Sequence, residues 1–176
     1  MLTIKQITPS DLYPSMLDTF NRNQETSRVL VNENGSLVEK EDHFKDKWSL
    51  TRKREIVQHF RDVTEGGGAV IIANMDTTVV GFAVIESEVF GDRSRYRELS
   101  YIHVSSEHRG NGIGRKLFNV VTNVAKQLGA EKLYIGAHPS IETQRFYFSM
   151  GCVLAEEMNE DIYNREPLDL QLEYTL

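Results

Sequence analysis

One cysteine, Cys152, is all the thiol the chain has, so no internal disulfide can form, and no Cys/His cluster has the spacing of a zinc site. Neither bridges nor a structural metal are expected to hold the fold, and a reducing, cytoplasmic setting fits. Basic charge is also short: 20 Lys and Arg stand against 26 Asp and Glu, a formal charge of −6. A phosphate polymer is usually bound by a basic excess, so nucleic acid is not an expected partner. The longest apolar runs are strand-sized, and Met1 to Phe20 carries Lys5, Asp11 and Asp18 where a signal peptide would need an apolar core. The expectation is a soluble, unprocessed protein with no membrane partner. No repeat, low-complexity tract or long linker divides it. With 40% apolar residues, the 176 positions suffice for a single domain, residues 1–176, burying its own core.

What is present reads as alternating strands and helices. Leu2 to Ile7 predicts a short strand, and Ser10 or Asp11 can open a helix by accepting first-turn amide hydrogens. Gln24 to Val38 is ambiguous between the two. From Glu39 to Val63, Phe44, Trp48, Ile56, Val57 and Phe60 recur at spacings near four, which predicts one or two amphipathic helices over a sheet. Gly66-Gly67-Gly68 lacks the Lys-Ser/Thr ending of a P-loop and reads as a turn. Ala69 to Ala73 and Val79 to Ile85 then predict an antiparallel hairpin.

A charged loop, Glu86 to Arg97, leads to a strand at Leu99 to Val104, a turn, and a helix from Gly112 to Leu128. Ile113, Leu117, Val121, Val124 and Leu128 share one face of that helix, and Gly129 is placed to end it in the left-handed conformation. A strand at Lys132 to Gly136, a short helix from Ser140 to Met150 stopped by Gly151, and a strand from Cys152 follow. Leu168, Leu170, Leu172, Tyr174 and Leu176 alternate with polar residues as a last strand, and the acidic stretch Glu156 to Glu166 reads as a solvated loop.

Arg109-Gly110-Asn111-Gly112-Ile113-Gly114 falls between a predicted strand and the start of a long helix, where unpaired backbone N–H groups converge on an anion. Glycine permits positive φ and close approach, the helix dipole adds about half a positive charge, and Arg109, Arg115 and Lys116 add more. Two other readings stay open for the loop alone. It can be a turn that lets the helix pack tightly, or a dinucleotide-binding unit, although Lys132 to His138 lacks the ribose-holding acid of the latter.

The fuller run from Val104 through Arg109-Gly110-Asn111-Gly112-Ile113-Gly114, followed by Phe146-Tyr147-x-x-x-Gly151, closely resembles the GNAT superfamily of acetyl-CoA-dependent N-acetyltransferases. Its Arg/Gln-x-x-Gly-x-Gly/Ala signature is met without a mismatch, and the resemblance extends from about Gly68 to Leu176. It implies an α+β fold: a mostly antiparallel sheet of about seven strands flanked by about four helices. The fourth and fifth strands of that fold, here Leu99 to Val104 and Lys132 to Gly136, would splay to admit a pantetheine arm. Acetyl-CoA is the implied co-substrate, with no metal. Backbone groups at Ile102, His103 and Val104 would pair with the pantetheine, and Arg109, Gly110, Asn111, Gly112, Ile113, Gly114 and Arg115 would hold the diphosphate. The asparagine and alanine often found early in the Phe-Tyr helix are here Ser140 and Thr143, so Ser140 reads as an N-cap.

The same resemblance implies the chemistry. Tyr147 stands where many members carry a tyrosine that protonates the departing thiolate, and Glu98 where histone acetyltransferases of the superfamily place a base acting through water. Tyr101 and His103 alternate with Ile102 toward an acceptor cleft, and the Val104 N–H is expected to face the carbonyl oxygen. The expected function is acetyl transfer to a primary amine of a small molecule, and the carboxylates Glu86, Glu88 and Glu156 to Glu166 suit a cationic amine such as a polyamine or aminoglycoside. A protein or peptide N-acetyltransferase and a non-catalytic acyl-CoA sensor are the alternatives, and a homodimer is compatible with the resemblance.

Overall fold

The computed structural model describes residues 1–176. In chain order its strands and helices are β1 (Leu2–Gln6), β2 (Gln24–Glu33), β3 (Ser36–Asp46), α1 (Leu50–Glu65), β4 (Ala69–Met75), β5 (Thr78–Ile85), β6 (Tyr96–Val104), α2 (Ile113–Gln127), β7 (Lys132–Ala137), α3 (Ile141–Ser149), β8 (Val153–Leu154), α4 (Glu160–Arg165) and β9 (Leu170–Thr175). Seven strands form one sheet in the order β1-β4-β5-β6-β7-β9-β8, antiparallel except where β6 runs beside β7, and β2 and β3 form a separate hairpin. The expected α+β architecture with seven central strands and four helices is what forms. No helix is long and apolar enough to cross a membrane.

Both faces of the sheet are covered, which is why β4 and β5 read as unbroken apolar runs. Successive side chains point to opposite faces. On one face Ile71, Ala73, Val80 and Ala83 meet Leu117 and Val121 of α2. On the other, Val70, Ile72, Phe82 and Val84 meet Ile56, Phe60 and Val63 of α1. Full burial of each Val, Leu, Ile or Phe side chain among these contributes roughly 1.5–3 kcal/mol. Gly129 follows α2 at φ 83°, and Ser140 caps α3 by accepting from the Thr143 N–H, both as expected.

Four local expectations are corrected. Thr8 and Asp11 cap only a 3-10 turn, Pro9–Asp11, not a helix. The ambiguous stretch after Gln24 is a β-hairpin, turning at Asn34 (φ 53°) and Gly35 (φ 87°), so Phe44 lies on β3 and Trp48 in the connection before α1. An Asn-Gly pair is a strong hairpin signal, and the near-four spacing across Glu39 to Trp48 masked it. The acidic stretch contains α4, opened by the Asn159 side chain accepting from Ile162 N–H, with Ile162 buried. On β9 Leu168 is left out and exposed, while Glu173 is buried on the face expected to be polar and solvated, taking Lys132 Nζ at 2.6 Å and Tyr96 OH at 2.8 Å.

β6 and β7 pair only at Tyr96–Glu98 with Lys132–Tyr134 and separate beyond, so the predicted splay is present. A bulge in β6 at Ser100, where the register with β5 shifts, bends the strand at that point. The β2–β3 hairpin is tied beside the gap by Leu30 N–H donating to Pro139 O at 2.9 Å and by the bridge of Val29 to Ser140.

Candidate active site

The free edge of β6 is set by strand alternation. Ser105 N–H donates to Val80 O at 2.8 Å, so Ser105/Val80 and, two residues back, His103/Phe82 are the hydrogen-bonded pairs with β5. Ile102 and Val104 therefore turn their main-chain groups toward β7, into the gap. His103 does not: its main chain faces β5, and its ring lies on the α1 side against Trp48, with ring centroids 5.0 Å apart.

At the foot of the gap, Gly110 and Gly112 take φ of 78° and 77°, which a residue with Cβ adopts at a cost. The N–H groups of Gly110, Asn111, Gly112, Ile113, Gly114 and Arg115 find no acceptor within the protein; the first intrahelical bond is Lys116 N–H to Gly112 O at 3.1 Å. Asn111 Nδ2 braces the turn on His108 O at 3.3 Å, and Ile113 is buried as the anchor of α2. Gly114 answers a different demand, because a Cβ there would sit 3.3 Å from the Phe146 ring. Arg109 folds back, Nε donating to Val104 O and Nη1 to Asn23 O, each at 3.0 Å, and so clamps the loop to the end of β6. Arg115 remains exposed at the start of the helix. This run of uncommitted amides fits an anion such as a diphosphate.

Tyr147, on α3, is buried, yet its hydroxyl makes no hydrogen bond in the protein and opens on a cleft of about 980 Å³ on the α1 side of the gap. Burial raises its pKa, so the phenol keeps its proton through neutral pH. Glu98 and Tyr101 line the same cleft. Burial raises the pKa of Glu98, although Arg165 of α4 grips both carboxylate oxygens at 2.9 and 2.8 Å. Tyr147, Glu98, Ile102, His103 and Tyr101 thus meet at one cleft, and the glycine loop is joined to the end of β6 that borders it.

Of the other cleft residues, Glu86 is one of the carboxylates the sequence offers for a cationic amine, whereas His59, Asp169 and Arg22 carry no signal there. Glu86 accepts from Ser100 Oγ at 2.5 Å and pairs with His59 Nε2 at 2.7 Å. Burial alone would raise the Glu86 pKa, but those two bonds outweigh it and hold it low, while the bond to Glu86 raises that of His59. Asp169 makes no side-chain hydrogen bond. Burial, with Glu166 and Asp46 nearby, pushes its pKa up to about 7. Arg22 enters from before β2. Eight carboxylates line the cleft against three arginines and no lysine, so its interior potential is negative. These residues lie far apart along the chain, and only the topology unites them.

The acetyltransferase (GNAT) family model matches residues 34–151. An uncharacterized N-acetyltransferase of Archaeoglobus fulgidus is 28% identical over 107 residues, which are 58% of this chain and 72% of that protein. Among solved structures, nourseothricin acetyltransferase superposes with a TM-score of 0.70 at 19% identity, over 99% of this chain and 98% of that one. A candidate streptothricin acetyltransferase from Bacillus anthracis str. Ames, in complex with acetyl coenzyme A, gives 0.72 at 14% identity, over 100% and 99%.

Proposed function

This chain belongs to the acetyltransferase (GNAT) family, and from that premise we propose that it moves an acetyl group from acetyl-CoA to a primary amine of a small, cationic molecule, with residues 1–176 acting as one catalytic unit. The observation that carries the reading is the unbroken run of unpaired amides from Gly110 to Arg115, set below a strand gap onto which the Tyr147 hydroxyl opens.

Bound there, acetyl-CoA supplies the activated acyl group. The amides of Gly110 to Arg115 would hold its diphosphate, and the gap-facing main chain of Ile102 and Val104 would pair with the pantetheine as an added strand does. Arg109 shapes that cradle from behind through Val104 O and Asn23 O. Val104 N–H, unclaimed by β5, stabilises the carbonyl oxygen as charge develops on it. Tyr147, protonated through neutral pH, donates its Oη proton to the leaving thiolate. Glu98 takes the amine's proton through water, its raised pKa moving it toward the range useful to a base and Arg165 fixing its orientation.

The excess of carboxylates favours a cationic acceptor over an acidic or neutral one. The names of two structural neighbours that align over their whole length, nourseothricin acetyltransferase and a candidate streptothricin acetyltransferase, are in keeping with a small-molecule acceptor. The test is a thiol-release assay with acetyl-CoA and parallel panels of small diamines, amino acids and basic peptides. Turnover confined to small amines is expected. Turnover confined to peptides would make this a protein acetyltransferase, and binding of acetyl-CoA with no turnover on either panel would make it a sensor.

A further inference from the structure

Arg22 lies between the 3-10 turn and β2, where Asn21 N–H donates to Ser105 Oγ at 2.9 Å and ties the segment to the end of β6. That tie carries the Arg22 side chain into the cleft, with the residue only 7% exposed. Its guanidinium carbon sits 5.5 Å from the Trp48 ring centroid. No group in the protein accepts a hydrogen bond from it: Nε and Nη1 are enclosed without a partner, and Nη2 is left to the cleft. Asp46 acts on it only through space, and Asp46 Oδ2 is engaged by His138 Nε2 at 2.9 Å. A buried guanidinium without acceptors is costly to keep, and most buried polar groups in proteins are satisfied.

The geometry points to Arg22 as the anchor for a carboxylate on the acceptor, which makes the acceptor an amphoteric amine of the diamino-acid class instead of a plain polyamine. This rests on the cleft being the acceptor site. Arg109 also acts on Arg22 through space, but its guanidinium is committed to Val104 O and Asn23 O, and the flanking imidazoles of His103 and His138 are both held below the usual histidine pKa, chiefly by burial, so Arg22 presents one positive charge here and suits a monoanion better than a phosphate dianion. With eight carboxylates along the same cleft, a lone anion would be repelled. The anion must therefore arrive on a molecule whose ammonium groups meet the acidic lining of the cleft. The cation–π contact with Trp48 helps hold the guanidinium, and with Nε and Nη1 enclosed it is Nη2 that is left to the cleft.

The experiment uses the full chain with coenzyme A present, and measures binding by calorimetry and turnover by thiol release. The probes are L-ornithine and L-lysine, their carboxamides, and the decarboxylated 1,4-diaminobutane and 1,5-diaminopentane. The wild type is expected to bind the acids about 10- to 100-fold more tightly than the matched amides and diamines, the range for losing a charge-assisted hydrogen bond. Arg22→Gln should weaken the acids alone and erase that preference, Arg22→Lys should keep part of it, and KM for acetyl-CoA should stay within about twofold. Amides or diamines binding the wild type as tightly as the acids would overturn the assignment. So would an Arg22→Gln effect on coenzyme A affinity in place of acid affinity. If Arg22→Gln fails to fold, the wild-type comparison and Arg22→Lys decide. Acid-selective binding without turnover would support the role of Arg22 while removing the acetyl-transfer reading.

Discussion

Arg165 of α4 holds Glu98 of β6 by both carboxylate oxygens, at 2.9 and 2.8 Å, across a separation of 67 residues. The Glu98 side chain is 13% exposed and that of Arg165 58%, so a solvent-facing cation steadies an enclosed acid. Burial raises the Glu98 pKa and Arg165 opposes that rise. Arg165→Gln should therefore lift the Glu98 pKa further. The acidic limb of the kcat/KM profile is expected to move to higher pH, by about half a unit to one unit. An unmoved limb would mean that Glu98 is not the titrating base.

Tyr147→Phe removes the only phenol that opens unpaired on the cleft from α3. A kcat lower by about 10- to 1,000-fold is expected, with acetyl-CoA affinity within about twofold. Steady-state kinetics beside calorimetry give both quantities, and an unchanged kcat would take Tyr147 out of the proton transfer.

Gly112 and Gly114 should fail in different ways. Gly112→Val forces a β-branched residue into positive φ and should reduce coenzyme A affinity by more than about tenfold, as the amides lose convergence. Gly114→Leu meets Phe146, so a lower Tm is expected as well, by about 3–6 °C. Wild-type coenzyme A affinity in the Gly112 variant would contradict the cradle.

Asp169 tests the acidic wall. Its pKa, raised to about 7, means that ionisation opposes folding, so stability is lost as pH rises from the unfolded value near 3.9 through about 7. Asp169→Asn should accordingly raise Tm by about 3–6 °C at pH 8 and leave it nearly unchanged at pH 4. Thermal melts at both pH values check this, and a cationic acceptor should show a higher KM in the variant.

His59 and Glu86 give a profile bounded on both sides. The His59 pKa is raised, so its contribution is complete below about 6.5 and fades as pH climbs through the folded value; the Glu86 pKa is lowered, so its contribution fades as pH falls below about 4.5. Their mutual stabilisation peaks between those limits. His59→Gln should lower Tm by about 1–3 °C at pH 5.5 and by less at pH 8, as melts at the two pH values would report.

Elements with a local cause were readable from the sequence. The α2 stripe, the Gly129 cap, the Ser140 cap and the glycine loop each depend on residues within a few positions of one another, and each stands where the pattern put it. The Asn34-Gly35 turn was also local, but a competing near-four spacing obscured it. Arg22, Arg165 and Asp169 were not legible, because each matters through neighbours brought from other elements. A charged residue in a loop looks the same whether it ends in water or enclosed against Trp48. Burial of Glu173 was hidden for a similar reason: its partners Lys132 and Tyr96 come from β7 and β6.

The β2–β3 hairpin stands apart from the seven-stranded sheet, yet Gln24, Phe44 and Asp46 at its open end line the cleft. On the proposed function, recognition of the acceptor is thereby partly detached from the cradle between Gly110 and Arg115, and an engineered exchange of residues 24–46 is expected to alter which amines are accepted while sparing the nucleotide end.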